Sequence, residues 1–331
     1  MQLVYLCGSK NLIDVGFLNY LEDTLIKVDQ KMLSKSSGYH PDLTAALEHL
    51  MASGGKRIRP IITLLMGSLL GADEDRLISL SASIELLHTA TLVHDDLIDG
   101  ALLRRGNPTL NSHWSPAATV LTGDYIFAQA ALLAAEIENT TAMSLFAQTL
   151  ITIVNGELSQ LFERNQVPSR EEYYHRIYEK TGSLFALSAE AAALISPVDQ
   201  KYVVPAKTYG REIGKAFQIV DDVLDFTGNQ NRVGKPIGND LRQGVPTLPA
   251  IYYGEQHPED EVLLACLNGT ASEYAADGLI QRINQSGVIQ QAMDEARAST
   301  EKAARCLEGF PEGKEKVSLA ELGNYIVDRD L

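Results

Sequence analysis

Two acidic triplets with one shared spacing carry the chemistry open to this chain. Asp95, Asp96 and Asp99 lie in IELLHTATLVHDDLIDGALLRRGN, and Asp221, Asp222 and Asp225 lie in GKAFQIVDDVLDFTGN. Each triplet is spaced i, i+1, i+4 and follows an apolar run. On a helix that spacing gathers three carboxylates within an arc of about 100°. Like charges held so close push up one another's pKa unless a cation compensates them. A hard divalent ion that takes oxygen ligands relieves the repulsion, and Mg²⁺ is the usual one where phosphates are also present. A lone triplet reads as a solvated acidic face. Two of them, each without the i, i+4 Lys or Arg of a surface helix, point to metal.

The cations fall in separate places. In GGKRIRP, Lys56, Arg57 and Arg59 follow a glycine pair and precede a helix with Pro60 in its first turn. Backbone N–H groups at a helix start, beside lysine and arginine, suit a phosphate group. Arg104 and Arg105 follow the first triplet by about one and a half helical turns, more positive charge than a salt bridge to it needs. Lys180 and Thr181 sit at a helix break, and Gly234-Lys235-Pro236 precedes Gly238-Asn239-Asp240. Six carboxylates with several separately placed cations suggest a cavity that binds two polyanions at once. No serine, cysteine or histidine nucleophile is evident, and His94 reads as a structural histidine on a mostly apolar helix.

These residues must be positioned by helices. Apolar residues recur at helical spacing through the 331 residues, glycine and proline fall between the runs, and strand signals are nearly absent. The spacing predicts helices over Leu12 to Ser34, Asp42 to Met51, Arg59 to Leu70, Asp73 to Leu103, Ala117 to Glu138, Thr140 to Arg164, Arg170 to Ser196 with a break near Gly182, and Lys201 to Thr227. Shorter ones follow over Leu248 to Gly254, Pro258 to Leu267, Ser272 to Ile283, Val288 to Leu307 and Lys314 to Asp328. A hydrophobic content of 45% supports a substantial core, and no linker interrupts it. The net charge of −15 argues against nucleic acid or anionic membranes as partners. Cys7, Cys266 and Cys306 lack zinc-site spacing, and their odd number suggests reduced thiols in a cytoplasmic setting. No run approaches the ~18 apolar residues of a spanning helix.

The chain resembles the trans-isoprenyl diphosphate synthases, and the medium- to long-chain polyprenyl members more than the farnesyl ones. GGKRIRP, the DDxxD-type motif with RRG, GDYIFAQA, NGELSQL, KTGSLFALSAE and FQIVDDVLDFTGN with GKPIGNDL occur in the family's order. The resemblance implies an all-α fold, a single polyprenyl synthetase domain over residues 1–331 around a deep central cavity. It also implies a prenyltransferase that ionises an allylic diphosphate, joins it to isopentenyl diphosphate and eliminates a proton. Asp95, Asp96, Asp99 and Asp221 would hold Mg²⁺, about three ions with substrate bound, with Asp222 and Asp225 in support. Arg104, Lys180 and Lys235 would contact the allylic diphosphate. Lys56, Arg59, His88 and Arg105 match the isopentenyl diphosphate site, and Thr181 and Gln218 the flank of the reacting carbons. Homodimers are common in the family, and some members need a dissimilar second subunit. One departure is Gly244-Val245-Pro246-Thr247, where the family often has a lysine.

Product length follows from the floor of the cavity. The residues five and four before Asp95 are Ala90 and Thr91, both small, where an aromatic gives a short product in the family. One helical turn, about 5.4 Å, is comparable to an isoprene unit, so an open floor implies a product of about thirty carbons or more. Leu87 and Ile84 lie further down, with Phe127, Leu132 or Phe146 from a neighbouring helix. Alternatives are a geranylgeranyl diphosphate synthase, a terpene cyclase and a noncatalytic subunit of a heteromeric prenyltransferase. The basic turn at Lys56 and Arg59 weighs against the cyclase, and the completeness of both triplets against the subunit.

Overall fold

A computed structural model describes residues 16–34, 41–52, 55–104, 106–162, 167–228 and 237–328. Cys7, Arg105 and Lys235 lie outside the described residues. The described chain is all-α apart from one short hairpin. After a 3-10 turn over Gly16–Leu21 come α1 (Glu22–Leu33), α2 (Pro41–Ala52), α3 (Ile58–Leu69) and α4 (Glu74–Ile98). The hairpin pairs β1 (Leu103–Arg104) antiparallel with β2 (Asn107–Pro108). Then follow α5 (Pro116–Ala135), α6 (Thr140–Phe162), α7 (Arg170–Ile177), a π-helical turn over Tyr178–Gly182, α8 (Ser183–Leu194) and α9 (Val203–Thr227). The last are α10 (Asn239–Arg242), α11 (Leu248–Gln256), α12 (Glu261–Leu267), α13 (Glu273–Gln285), α14 (Val288–Cys306) and α15 (Lys314–Asp328).

The chain divides into two compact units. The first takes Met1–Ala147, Ser188–Val204 and Phe310–Ser318, and the second takes Gln148–Leu187, Pro205–Gly309 and Leu319–Leu331. In the first, α4 is the central helix. Asp73 caps it by accepting from the Arg76 N–H at 3.0 Å, and Glu74 and Asp75 sit in its first turn, where the helix dipole favours them. Every residue from Leu77 to Leu87 is buried, as befits a helix covered on all sides by α1, α3 and α5. Gly67 on α3 lets Leu77 approach: a Cβ there would stand 2.2 Å from Leu77 Cδ2. The Arg76 guanidinium donates to the Ile137 carbonyl at 3.1 and 2.9 Å, closing the far end of the same unit. By length and composition alone α4 and α5 are long and apolar enough to cross a membrane, contrary to the sequence expectation, but α4 is mostly buried inside its unit.

In the second unit α9 is the longest helix, and its buried Ala206, Tyr209, Gly210, Ile213, Ala216, Val220 and Val223 follow the helical period. Its glycines permit backbone contact with the preceding helix. A Cβ on Gly210 would meet the Phe185 carbonyl oxygen at 2.3 Å, and one on Gly214 the Cα of Gly182 at 2.8 Å. Ser169 and Glu172 form a reciprocal cap at the start of α7, at 3.2 and 2.7 Å. Cys266 and Cys306 are free thiols.

Candidate active site

The first triplet sits where α4 ends, and α4 ends earlier than its apolar pattern predicts. The expected helix ran to Leu103; the observed one stops at Ile98, with Asp99 as its cap. Gly100, at φ 64, takes the left-handed conformation that terminates a helix. Its N–H reaches the Leu97 carbonyl at 3.2 Å and the Ala101 N–H the Asp96 carbonyl at 2.8 Å, the paired bonds of a Schellman ending. The chain then turns back through the hairpin, with Thr109 Oγ1 on the Ala101 carbonyl at 2.7 Å. Arg104 is thereby returned to the triplet instead of continuing along a helix. Its Nε donates to both oxygens of the buried Asp96, at 2.8 and 3.0 Å. Asp95 is half-buried and Asp99 exposed. His94 packs on Gly123, where a Cβ would stand 2.2 Å from its Nε2, which accounts for the glycine of GDYIFAQA.

The second triplet lies within α9, and its members differ in environment. Asp221 is half-buried. Asp222 is buried and accepts from Tyr173 Oη at 2.6 Å, Gln218 Nε2 at 2.9 Å and the Leu248 N–H at 3.4 Å. Burial pushes its carboxyl up to about 7 against the lowering effect of the Tyr173 and Gln218 hydrogen bonds, with the Asp240 charge adding to the rise. Burial and the proximity to Asp222 raise the Tyr173 phenol well above its usual range, so it remains a donor. Asp225 receives the Asn239 and Asp240 N–H groups at 3.1 and 3.2 Å, fixing the start of α10. Its carboxyl is also raised, by burial first and Asp240 next.

The network continues to Thr181, whose hydroxyl donates to Gln218 Oε1 at 2.9 Å and so keeps its lone pairs open. Thr181 and Lys180 belong to the π-helical turn, the predicted break near Gly182; such turns often mark functional positions. The turn is held by residues of NGELSQL that sequence reasoning gave no role. Lys180 Nζ contacts Glu157 Oε1 and Gln160 Oε1, each at 2.8 Å. Asn155 Nδ2 donates to Glu179 Oε1 at 2.7 Å, and Gly156 leaves room for Glu179, whose Cβ would be 2.7 Å from an added one. Tyr173 was also missed. Only the tyrosines of REEYYHRI, two turns ahead of the break, could have flagged it. Beyond Asp222, Val245 N–H donates to the Asp240 carbonyl at 2.8 Å and Arg176 to the Pro246 carbonyl at 2.6 Å, which fixes the loop lacking the family's lysine.

The basic turn opens α3, with Lys56 and Arg59 both half-buried. His88 is half-buried on α4. Of the candidate floor residues, Leu87, Ile84, Ala90 and Phe146 are buried and Leu132 is exposed. Thr91 is half-buried, its hydroxyl on the His88 carbonyl at 2.8 Å. Phe127 lies against Phe146, ring centroids 6.4 Å apart.

The Polyprenyl synthetase family model matches residues 40–283. The chain belongs to the polyprenyl synthetase family. It is 33% identical over 327 residues to the octaprenyl diphosphate synthase of Haemophilus influenzae, covering 97% of this chain and 99% of that one. It is 32% identical over 312 residues to heptaprenyl diphosphate synthase component 2 of Bacillus subtilis, covering 94% and 89%. A crystal structure of a polyprenyl synthase from Caulobacter crescentus, complexed with calcium and isoprenyl diphosphate, matches with a TM-score of 0.90 and 33% identity over 95% of this chain and 97% of that one. The expected family and the all-α fold are borne out. For a polyprenyl synthetase the donor set here is chemically apt: aspartate oxygens suit a hard divalent ion. Among the described residues no three acidic, histidine or cysteine side chains already form a metal cage. Mg²⁺ does not require one, since it keeps waters and takes one or two carboxylates together with substrate phosphates.

Proposed function

We propose that this polyprenyl synthetase condenses isopentenyl diphosphate with an allylic prenyl diphosphate to make a medium- or long-chain all-trans polyprenyl diphosphate. The observation that carries the reading is the repeated i, i+1, i+4 aspartate triplet, ending α4 and again in α9, in a chain of this family. The allylic carbon–oxygen bond ionises, the isopentenyl double bond attacks the carbocation, and loss of a proton restores an allylic diphosphate. Asp95, Asp96, Asp99 and Asp221 hold Mg²⁺, with Asp222 and Asp225 in support. The bound ions supply the positive charge that stabilises the leaving diphosphate. Arg104, Lys180 and Lys235 contact that diphosphate, and Lys56, Arg59, His88 and Arg105 bind isopentenyl diphosphate. Thr181 and Gln218 direct oxygen atoms to the developing cation. The departing diphosphate accepts the proton, so no side-chain base is required. The match over residues 40–283 supports reading the two units as one polyprenyl synthetase domain.

The small residues Ala90 and Thr91 favour a product of about thirty carbons or more, at about one isoprene unit per 5.4 Å turn. The enzyme works as a homodimer in the cytoplasm on this reading. A stripe of exposed Ile151, Val154, Leu158 and Phe162 on α6 supports self-association. The name component 2 borne by the Bacillus subtilis relative supports a heteromer as the second reading. The test is incubation of purified protein with Mg²⁺, labelled isopentenyl diphosphate and farnesyl diphosphate, with mass analysis of the released prenyl alcohol. A ladder ending at about six or more isoprene units is expected. A geranylgeranyl product would correct the length, a cyclic hydrocarbon would replace the function, and activity only after adding a second subunit would establish the heteromer.

A further inference from the structure

Three cations stand in the basic turn, and one of them is turned away from solvent. Arg57 has φ 49 and ψ 30, a left-handed conformation that an L side chain adopts only where its surroundings enforce it. The enforcement comes from two helices. Arg57 Nε donates to Asp29 Oδ1 on α1 at 3.1 Å, and Nη1 to Glu85 Oε1 on α4 at 3.0 Å, with Nη2 on Met51 Sδ at 3.7 Å. The three charged side chains are 10%, 22% and 7% exposed in the order Arg57, Asp29, Glu85. The other Glu85 oxygen is buried without a hydrogen-bond partner, so Arg57 is the cation that compensates it. The Arg57 carbonyl accepts the Ile61 N–H at 3.0 Å and starts α3. Glu85 also precedes His88 by three residues, placing the two on one side of α4.

We propose that Arg57 is a positioning residue for isopentenyl diphosphate binding: clamped between Asp29 and Glu85, it fixes the turn bearing Lys56 and Arg59 against the segment of α4 bearing His88. This rests on the assignment of Lys56, Arg59 and His88 to that substrate. The planar guanidinium serves two carboxylates on two helices at once, which an ammonium group cannot do in the same geometry. Removing the cation altogether would strand the buried Glu85 and risk the fold, so milder variants are the informative ones.

The test is steady-state kinetics of the full chain with Arg57→Lys, Glu85→Gln and Asp29→Asn, each checked for cooperative thermal unfolding, beside Lys56→Ala and Arg59→Ala. Arg57→Lys and Glu85→Gln are expected to raise KM for isopentenyl diphosphate about 10-fold, with kcat and the allylic KM changed less than about threefold. Asp29→Asn, which leaves the Glu85 contact in place, should have the smallest effect. Unchanged isopentenyl KM in folded Arg57→Lys and Glu85→Gln, while Lys56→Ala and Arg59→Ala raise it, overturns the positioning role alone. An equal rise in both KM values, or a loss of kcat that tracks thermal stability, overturns it as well. If Lys56→Ala and Arg59→Ala also leave the isopentenyl KM unchanged, the assignment of the turn fails and the proposal falls with it.

Discussion

Asp221 and Asp222 are adjacent in sequence and stand in different environments, so the same chemical change should cost different things at each. Asp221→Ala, like Asp95→Ala, removes a carboxylate from the proposed charge-stabilising set. It should lower turnover by about 10²–10³-fold while the helical circular dichroism is unchanged. Asp222 is instead a buried hub between Tyr173 and Gln218, with its pKa raised from 3.8 to about 7. A folded-state pKa above the unfolded one makes its contribution to stability fully present below about 4 and lost as pH rises through about 7. Asp222→Asn cannot titrate. In chelator-treated protein, denaturant titrations should therefore show the variant gaining on the parent between pH 4 and 7; a gap independent of pH would contradict the buried, raised carboxyl. Thr91 belongs to the same scale: it is half-buried where Ala90 is buried, so Thr91→Phe adds an aromatic with less overpacking than Ala90→Phe. Its product should be shorter by one or more isoprene units, read by mass analysis, at about one unit per helical turn. The aspartate spacing was legible in the sequence because one helix sets it locally. Tyr173 was not legible, because 49 residues separate it from Asp222 and only packing unites them.

At the scale of elements, helix boundaries are legible where local signals agree with the apolar pattern and are obscured where that pattern runs past them. Lys314–Asp328 was predicted to the residue, and Ser169 with Glu172 announces the start of α7. Gly100 ends α4 immediately after Asp99, but the apolar Leu102 and Leu103 continue the helical pattern in the sequence and are exposed in the structure. The break at Gly182 was legible, but its π-helical form depends on Asn155, Gly156, Glu157 and Gln160 of a different helix. Close helix approaches give the sharpest test of this packing. A methyl group on Gly210 would meet the Phe185 carbonyl oxygen and the Ala186 Cα at 2.3 and 2.9 Å, backbone atoms that cannot rotate aside. Gly210→Ala should lose about 3 kcal/mol, at the upper end for overpacking. Gly123→Ala meets the His94 ring first, a side chain able to move, and should lose less, about 1–2 kcal/mol. Urea titration of both variants separates the cases, and equal losses would mean that α9 and α8 are free to part.

For the molecule as a whole, an excess of acidic charge coexists with an apolar stripe that no described part of the chain covers. Ile151, Val154, Leu158 and Phe162 recur at i, i+3, i+7 and i+11 along α6 and are 69%, 48%, 47% and 82% exposed. That recurrence keeps them on one face of the helix. Single exposed apolar residues are ordinary, but an aligned row on one helix is the usual mark of a partner surface. The net charge of −15 opposes close approach of two copies at low ionic strength, so association through this face should strengthen with salt. Sedimentation equilibrium should give twice the chain mass of 36.2 kDa, with tighter association in 0.5 M than in about 0.05 M salt, across which screening shortens from about 14 to about 4 Å. Leu158→Glu places a charge in the middle of the row and should shift the protein to the monomer mass with its circular dichroism retained. A parent protein already monomeric at both salt concentrations would overturn self-association through α6, and prenyl transfer that appears only after a candidate second subunit is added would then support the heteromer.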